Sequence, residues 1–281
     1  MFYEEEGSGQ PVLFLHGGFG GVESSLFPKP SAISGVLPSG GFRTISFDRR
    51  NSGRSQYDTS VTRLEDLAND ALGLLASLGI ERAVVVGDSM GGMIAQRFAL
   101  DHPAATAGLV LMETSARILR RTLQVKAALA AVRLFGPRAL YRVFRGRFRE
   151  PRWARPIGPD PSDEEAARLR EHNQAFLQAL REMPDEELYR YSLGLIRTYV
   201  AFSGRDLRDE LPNLRLPVEV IHGSSDRIVG ANHGREVASL IPGATLAELP
   251  GLGHGLLYYP EGRRALVEAI GAMEVEPSTA R

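Results

Sequence analysis

The sequence predicts an α/β protein: a mostly parallel, doubly wound sheet with helices on both faces and an inserted helical cap. Three observations predict it. Short apolar runs alternate with segments of helical spacing, the order that a parallel sheet with crossover helices requires. The runs are apolar at nearly every residue, so each strand is covered on both faces. The alternation stops between residues 114 and 204, where no strand-like run occurs, and then resumes. These breaks divide the chain into a core, 1–113 and 205–281, and a helical cap insertion, 114–204.

Val12-Leu13-Phe14-Leu15 is the first clear strand, and it enters the glycine-rich loop His16 to Gly21. Residues 22–40 carry Pro28, Pro30 and Pro38, so helix there is short or absent. Phe42 to Phe47 is the next strand and ends in the polar turn Asp48 to Ser55. Leu64, Leu67, Ala68, Ala71, Leu74, Leu75 and Leu78 recur at helical spacing, and Gly79 stops that helix. A β-branched run at Val84-Val85-Val86 leads to a second helix from Met90 to about Leu100, ended by His102-Pro103. Gly108 to Met112 is the strand before the cap. Beyond the cap come a strand at Pro217 to Ile221, a helix over 232–240, a strand at Ala244 to Leu249 and a last helix from Glu261 to Met273.

The totals exclude several classes. The 281 residues suit one large domain with an insertion. With 33 basic and 34 acidic residues, the net charge of −1 steers the chain to neither nucleic acid nor membrane. There is no cysteine, which removes disulfides, thiol nucleophiles and cysteine-held metals. No run is apolar enough for a membrane span, and the N-terminus lacks the basic and apolar regions of a signal peptide. A cytoplasmic location is expected. No histidine pair has metal-ligand spacing, and no dinucleotide or phosphate-loop fingerprint is complete. No metal and no cofactor is therefore expected. Oligomeric state has no signature in the sequence.

The cap is unevenly charged. Residues 117–155 hold eleven arginines and Lys126 against Glu150, whereas 160–190 hold nine carboxylates against four arginines. The two halves either face each other and solvate the surface, or the basic half draws in anionic substrates.

Chemistry centres on Gly87-Asp88-Ser89-Met90-Gly91. An apolar strand, a sharp turn and a helix place a serine hydroxyl at the apex of a G-x-S-x-G elbow. Serine needs a base to take its proton and a carboxylate to orient that base. Ligands meet such sheets at the carboxyl ends of the strands. Asp226 and His254 both follow later strands there, in the chain order Ser89, Asp226, His254. His16 and His222 read as structural rings beneath the site, and Asp88 as a structural neighbour whose side chain points sideways.

Taken together, the loop His16-Gly17-Gly18-Phe19-Gly20, the turn Asp48 to Ser55, the elbow Gly87 to Gly91, and the pair His222-Gly223-Ser224-Ser225-Asp226 and Gly253-His254 resemble the α/β-hydrolase superfamily. The resemblance covers nearly all of the chain outside the cap. It implies Ser89 as nucleophile, His254 as base and Asp226 as the acid that orients it. It implies oxyanion donors at the backbone N–H of Met90 and of Gly18, with Phe19 next to the substrate. The activity implied is hydrolysis of a small or medium carboxylic ester. Cleavage of a carbon–carbon bond in a keto-dienoate, release of N-terminal proline, and a non-catalytic ligand receptor on the same scaffold are the alternatives. Three departures stand out. Glu113 follows the strand after the elbow, where some members of the family keep their acid, and is the alternative to Asp226. Asn51 replaces a glycine of the family turn, and the family's first strand must be short or missing so close to Met1. With His254 as base, kcat/KM should rise through an apparent pKa of about 6 to 7.

Overall fold

The computed structural model describes residues 1–17, 40–52, 54–56, 63–118 and 181–273, together with Leu37 and scattered helical positions between 127 and 178. Its centre is a seven-stranded sheet: β1 (Tyr3–Glu6), β2 (Gln10–Leu15), β3 (Phe42–Phe47), β4 (Ala83–Asp88), β5 (Thr106–Met112), β6 (Val218–Gly223) and β7 (Thr245–Leu249). The spatial order is β1-β3-β2-β4-β5-β6-β7. Every neighbouring pair is parallel except β1 with β3, which is antiparallel with Tyr3 opposite Phe47. The family's first strand is thus present but only four residues long. Three of those residues are glutamates and none is buried, so the strand carries no apolar signature in the sequence.

The central strands explain themselves. Val84 and Val86 point to one face of the sheet and Val85 to the other, and all three are fully buried. Burying such a side chain stabilises the fold by about 1.5–3 kcal/mol each. One face is covered by α1 (Leu64–Ser77), α2 (Met90–Asp101) and α4 (Ala231–Leu240). The other is covered by α5 (Pro260–Gly271) through Leu266, Ala269 and Ile270. The predicted helices and strands fall at these places, with ends displaced by one to three residues.

Between β5 and β6 the described residues include one long helix, α3 (Asp185–Phe202). Most of the predicted cap, 114–204, lies outside the described residues. The segment leaves and rejoins the core through one antiparallel contact. Arg117 pairs with Asp206; the Ile118 N–H donates to the Arg205 carbonyl, and the Gly204 N–H donates to the Ile118 carbonyl. Where the two charge halves are described they meet: Arg138 pairs with Glu186, and Arg145 with Asp185. These exposed pairs contribute little to stability.

Close backbone packing decides two glycine substitutions in opposite directions. A methyl at Gly91 would overlap the carbonyl of Leu15 on β2, and no side-chain rotation relieves a clash with backbone. Gly91→Ala is expected to cost about 3 kcal/mol, a fall in Tm of about 6–12 °C. Gly73 lies exposed within α1 with nothing near its missing Cβ. Gly73→Ala is expected to stabilise by about 0.5–1 kcal/mol. Thermal unfolding of the two variants against wild type checks both signs.

Candidate active site

The site forms at the carboxyl ends of β4, β5 and β6. Ser89 sits between β4 and α2 at φ 49° and ψ −113°, a strained region for a residue with a Cβ. The neighbours hold it there. Its N–H donates to the Met112 carbonyl at 2.8 Å, and the Thr114 hydroxyl donates to its carbonyl at 2.7 Å. Side chains at Gly87, Gly91 or Gly92 would strike α2, β2 or Thr114, so the elbow closes only with glycine there. Met90 begins α2, and its N–H lies in the first turn, where a helix offers no acceptor of its own.

Asp226 follows β6 and is clamped by the backbone. The N–H groups of Ile228 and Val229 donate to its Oδ1 at 2.8 and 2.9 Å. The loop carrying His254 is tied to the same region. Ser225 N–H donates to the Leu252 carbonyl and Gly251 N–H to the Ser224 hydroxyl. A side chain at Gly223 would strike the Leu252 carbonyl. The result is a continuous chain. His254 Nδ1 lies 2.7 Å from Asp226 Oδ2, and His254 Nε2 lies 3.1 Å from Ser89 Oγ. The structure therefore brings Ser89, Asp226 and His254 together. Gly18 and Phe19 lie outside the described residues.

Charge is concentrated around the imidazole. Burial disfavours the His254 cation. The hydrogen bond to Asp226 and the carboxyl groups of Glu113, Asp226 and Asp88 outweigh it, so the pKa rises to about 9. Burial also opposes the Asp226 carboxylate. Hydrogen bonds to His222 and His254 outweigh that and hold it well below the usual carboxylate range. The expectation of about 6 to 7 for the base rests on an unperturbed histidine; the surrounding carboxyl groups move it up.

The remaining predicted residues fall into supporting places. His222 is fully buried; its Nε2–H donates to the Val229 carbonyl at 2.7 Å and lies 3.4 Å from Asp226 Oδ2. His16 is buried beside the Arg49 guanidinium. Burial first, and that charge second, push its pKa down to about 3, so the ring is neutral. Asn51 takes φ 62°, the left-handed position that glycine fills in the family turn, and asparagine tolerates it.

Glu113 is not hydrogen-bonded to His254. It is buried at φ 50°, and its Oε1 accepts the Leu256 N–H at 2.8 Å. Glu113, Asp226 and His254 nevertheless bring ligand-type atoms within 4.8 Å of one another, each already engaged in hydrogen bonds. The Asp88 carboxyl lies against the loop after β2: a Cβ at Gly17 would come within 2.5 Å of its Oδ2. Asp88 ends β4, and Glu113 directly follows β5, its neighbour in the sheet.

Among the described residues no helix is long and apolar enough to cross a membrane. Residues 10–260 match the family model described as the alpha/beta hydrolase fold. The chain is 27% identical over 259 residues to the AB hydrolase superfamily protein YisY of Bacillus subtilis, covering 92% of this chain and 90% of that protein. It is 28% identical over 268 residues to a non-heme haloperoxidase of Rhodococcus erythropolis, covering 91% and 89% of the two. Among solved structures it resembles a thermophilic esterase from Thermogutta terrifontis at 26% identity and a TM-score of 0.66, covering 96% of this chain and 91% of that one. With a parallel sheet of this order, a serine elbow after the third parallel strand and a family match across most of its length, the chain belongs to the α/β-hydrolase family.

Proposed function

We propose that the protein is a serine hydrolase that cleaves a small or medium carboxylic ester through an acyl-enzyme on Ser89. The observation that carries this reading is the chain from Asp226 Oδ2 through both nitrogens of His254 to Ser89 Oγ, at 2.7 and 3.1 Å. Asp226 fixes the tautomer with the proton on Nδ1, leaving the Nε2 lone pair facing the hydroxyl. Ser89 Oγ attacks the ester carbonyl carbon while its proton passes to His254 Nε2. The tetrahedral oxyanion is held by the N–H of Met90 and of Gly18, each worth about 3 kcal/mol of barrier. The bond to the alcohol oxygen then breaks, and His254 returns the proton to that oxygen. Water attacks the acyl-enzyme, gives a proton to His254, and the acid leaves as Ser89 recovers its hydrogen.

In this reading the segment 114–204 is a cap over the site, Phe19 lines the substrate side, and the protein works without cofactor on a small molecule in the cytoplasm. The esterase from Thermogutta terrifontis supports the ester as substrate class.

The test is labelling with a fluorophosphonate, followed by a panel of p-nitrophenyl esters of increasing acyl length beside a proline arylamide and a keto-dienoate. Ser89 should label, and short to medium esters should turn over. Absence of labelling would favour a ligand receptor, and turnover of only the arylamide or the dienoate would replace the ester reading. On esters, kcat/KM should rise with pH until His254 loses its proton at about 9 and then level. A limb ending near neutrality would contradict the carboxyl-rich surroundings of the base.

A further inference from the structure

The Asp226 carboxylate gathers more N–H groups than orienting one base requires. Its Oδ1 accepts the Ile228 and Val229 N–H groups at 2.8 and 2.9 Å, and its Oδ2 meets His254 Nδ1 at 2.7 Å. A second imidazole approaches the same Oδ2. His222 Nε2 lies 3.4 Å away, and both side chains are sealed from solvent. With no water between them to screen it, the attraction of an N–H group for a carboxylate is stronger than at a surface.

The hydrogen on His222 is placed by its neighbours. Nε2 lies 2.7 Å from the Val229 carbonyl, and a carbonyl only accepts, so Nε2 carries the hydrogen. Nδ1 has no hydrogen-bond partner among the described residues, and α4 closes over it: a Cβ at Gly234 would lie 2.4 Å away. A hydrogen on Nδ1 would be buried without an acceptor, which costs free energy. The ring is thus held in one tautomer, with its N–H on the side of Val229 and Asp226.

Val229 is gripped at both ends. Its N–H donates to Asp226 Oδ1, and its carbonyl accepts from His222. His222, Val229 and Asp226 therefore close a ring of contacts. Its anchor is the imidazole on β6, paired in register with Glu248 of β7, while Val229 and Asp226 belong to the loop between β6 and α4.

We propose that His222 is a positioning residue that ties the Asp226 loop to β6 and fixes Oδ2 as the carboxylate oxygen presented to His254. It acts through Asp226 and Val229 and has no chemical step of its own. The proposal deepens the serine hydrolase reading and rests on it for the rate measurements, whereas the spectra stand apart from turnover.

The first test is a long-range proton–nitrogen NMR spectrum of the wild-type protein at neutral pH, assigned with His222→Gln. His222 should show its hydrogen on Nε2 and a bare Nδ1; the opposite tautomer overturns the proposal. The second test compares two variants. H222Q keeps a side-chain N–H at the reach of Nε2. H222F keeps a planar ring against Gly234 and has no N–H. On the best ester, H222F should lower kcat about ten- to hundredfold, the worth of a hydrogen-bonding contact to a charged group. KM should stay within about twofold, and H222Q should keep kcat within about threefold of wild type. The His254 Nδ1–H resonance should persist in H222Q and shift or broaden in H222F. An unimpaired H222F, or a folded H222Q as impaired as H222F, overturns the proposal. If H222F does not fold, the wild-type tautomer and the rate of H222Q decide. The rate of Ser89 labelling by a fluorophosphonate should follow the same order. If wild type hydrolyses no ester yet labelling and the His254 resonance follow this order, the ester reading fails and the positioning role stands.

Discussion

Ser89→Ala is expected to lower kcat by about 10⁵ to 10⁶ with little change in KM. Alanine keeps the Cβ and therefore the backbone strain that the elbow already accommodates at φ 49°. The bonds that hold the turn are made by backbone atoms of Ser89, to Met112 and from Thr114, and they survive. Only the hydroxyl facing His254 Nε2 at 3.1 Å is removed. What remains is the residual acceleration from bound substrate and oxyanion donors, about 10³ to 10⁴ over water. The measurement is steady-state hydrolysis of the best ester, with fluorophosphonate titration to count intact sites in the variant preparation. Residual activity within a hundredfold of wild type would mean that another group attacks the ester.

Much of this site was legible because the chemistry imposes local patterns. Gly87 and Gly91 flank Ser89 because a Cβ at either would strike α2 or β2, so steric need writes itself into the sequence. Asp226 and His254 follow apolar strands and turns, which places them at the sheet's carboxyl edge before any contact is known. Asn51 was readable for the same reason: few residues accept φ 62°.

The unreadable parts depend on contacts across the chain. β1 is a strand because Tyr3 to Glu6 find the edge of β3, not because their own pattern demands it. Glu113 follows β5 and accepts the Leu256 N–H from 143 residues away, a contact that nothing in either local sequence states. The basicity of His254 likewise depends on groups brought to it from separate parts of the chain. A lone histidine in a glycine turn gives the unperturbed value, whereas Glu113, Asp226 and Asp88 around the ring raise it to about 9.

Asp226→Asn should lower kcat/KM by about 10⁴ while leaving the fold in place. Asparagine Oδ1 can still accept the N–H groups of Ile228 and Val229, which hold the side chain at 2.8 and 2.9 Å. That choice turns the amide nitrogen toward His254 Nδ1. Its N–H then donates to Nδ1, so the imidazole carries its proton on Nε2, facing the serine hydroxyl it must deprotonate. The same NH₂ also meets His222 Nε2–H, now donor against donor, at the position where Asp226 Oδ2 lies 3.4 Å away. Glu113 is not placed to take over: its Oε1 accepts the Leu256 N–H at 2.8 Å, and it makes no hydrogen bond to His254. Activity of D226N within tenfold of wild type would show that Glu113 does take over. Adding Glu113→Gln to D226N separates the cases. A further large loss identifies Glu113 as the acting acid, whereas no further loss leaves Asp226 as the residue that orients the base.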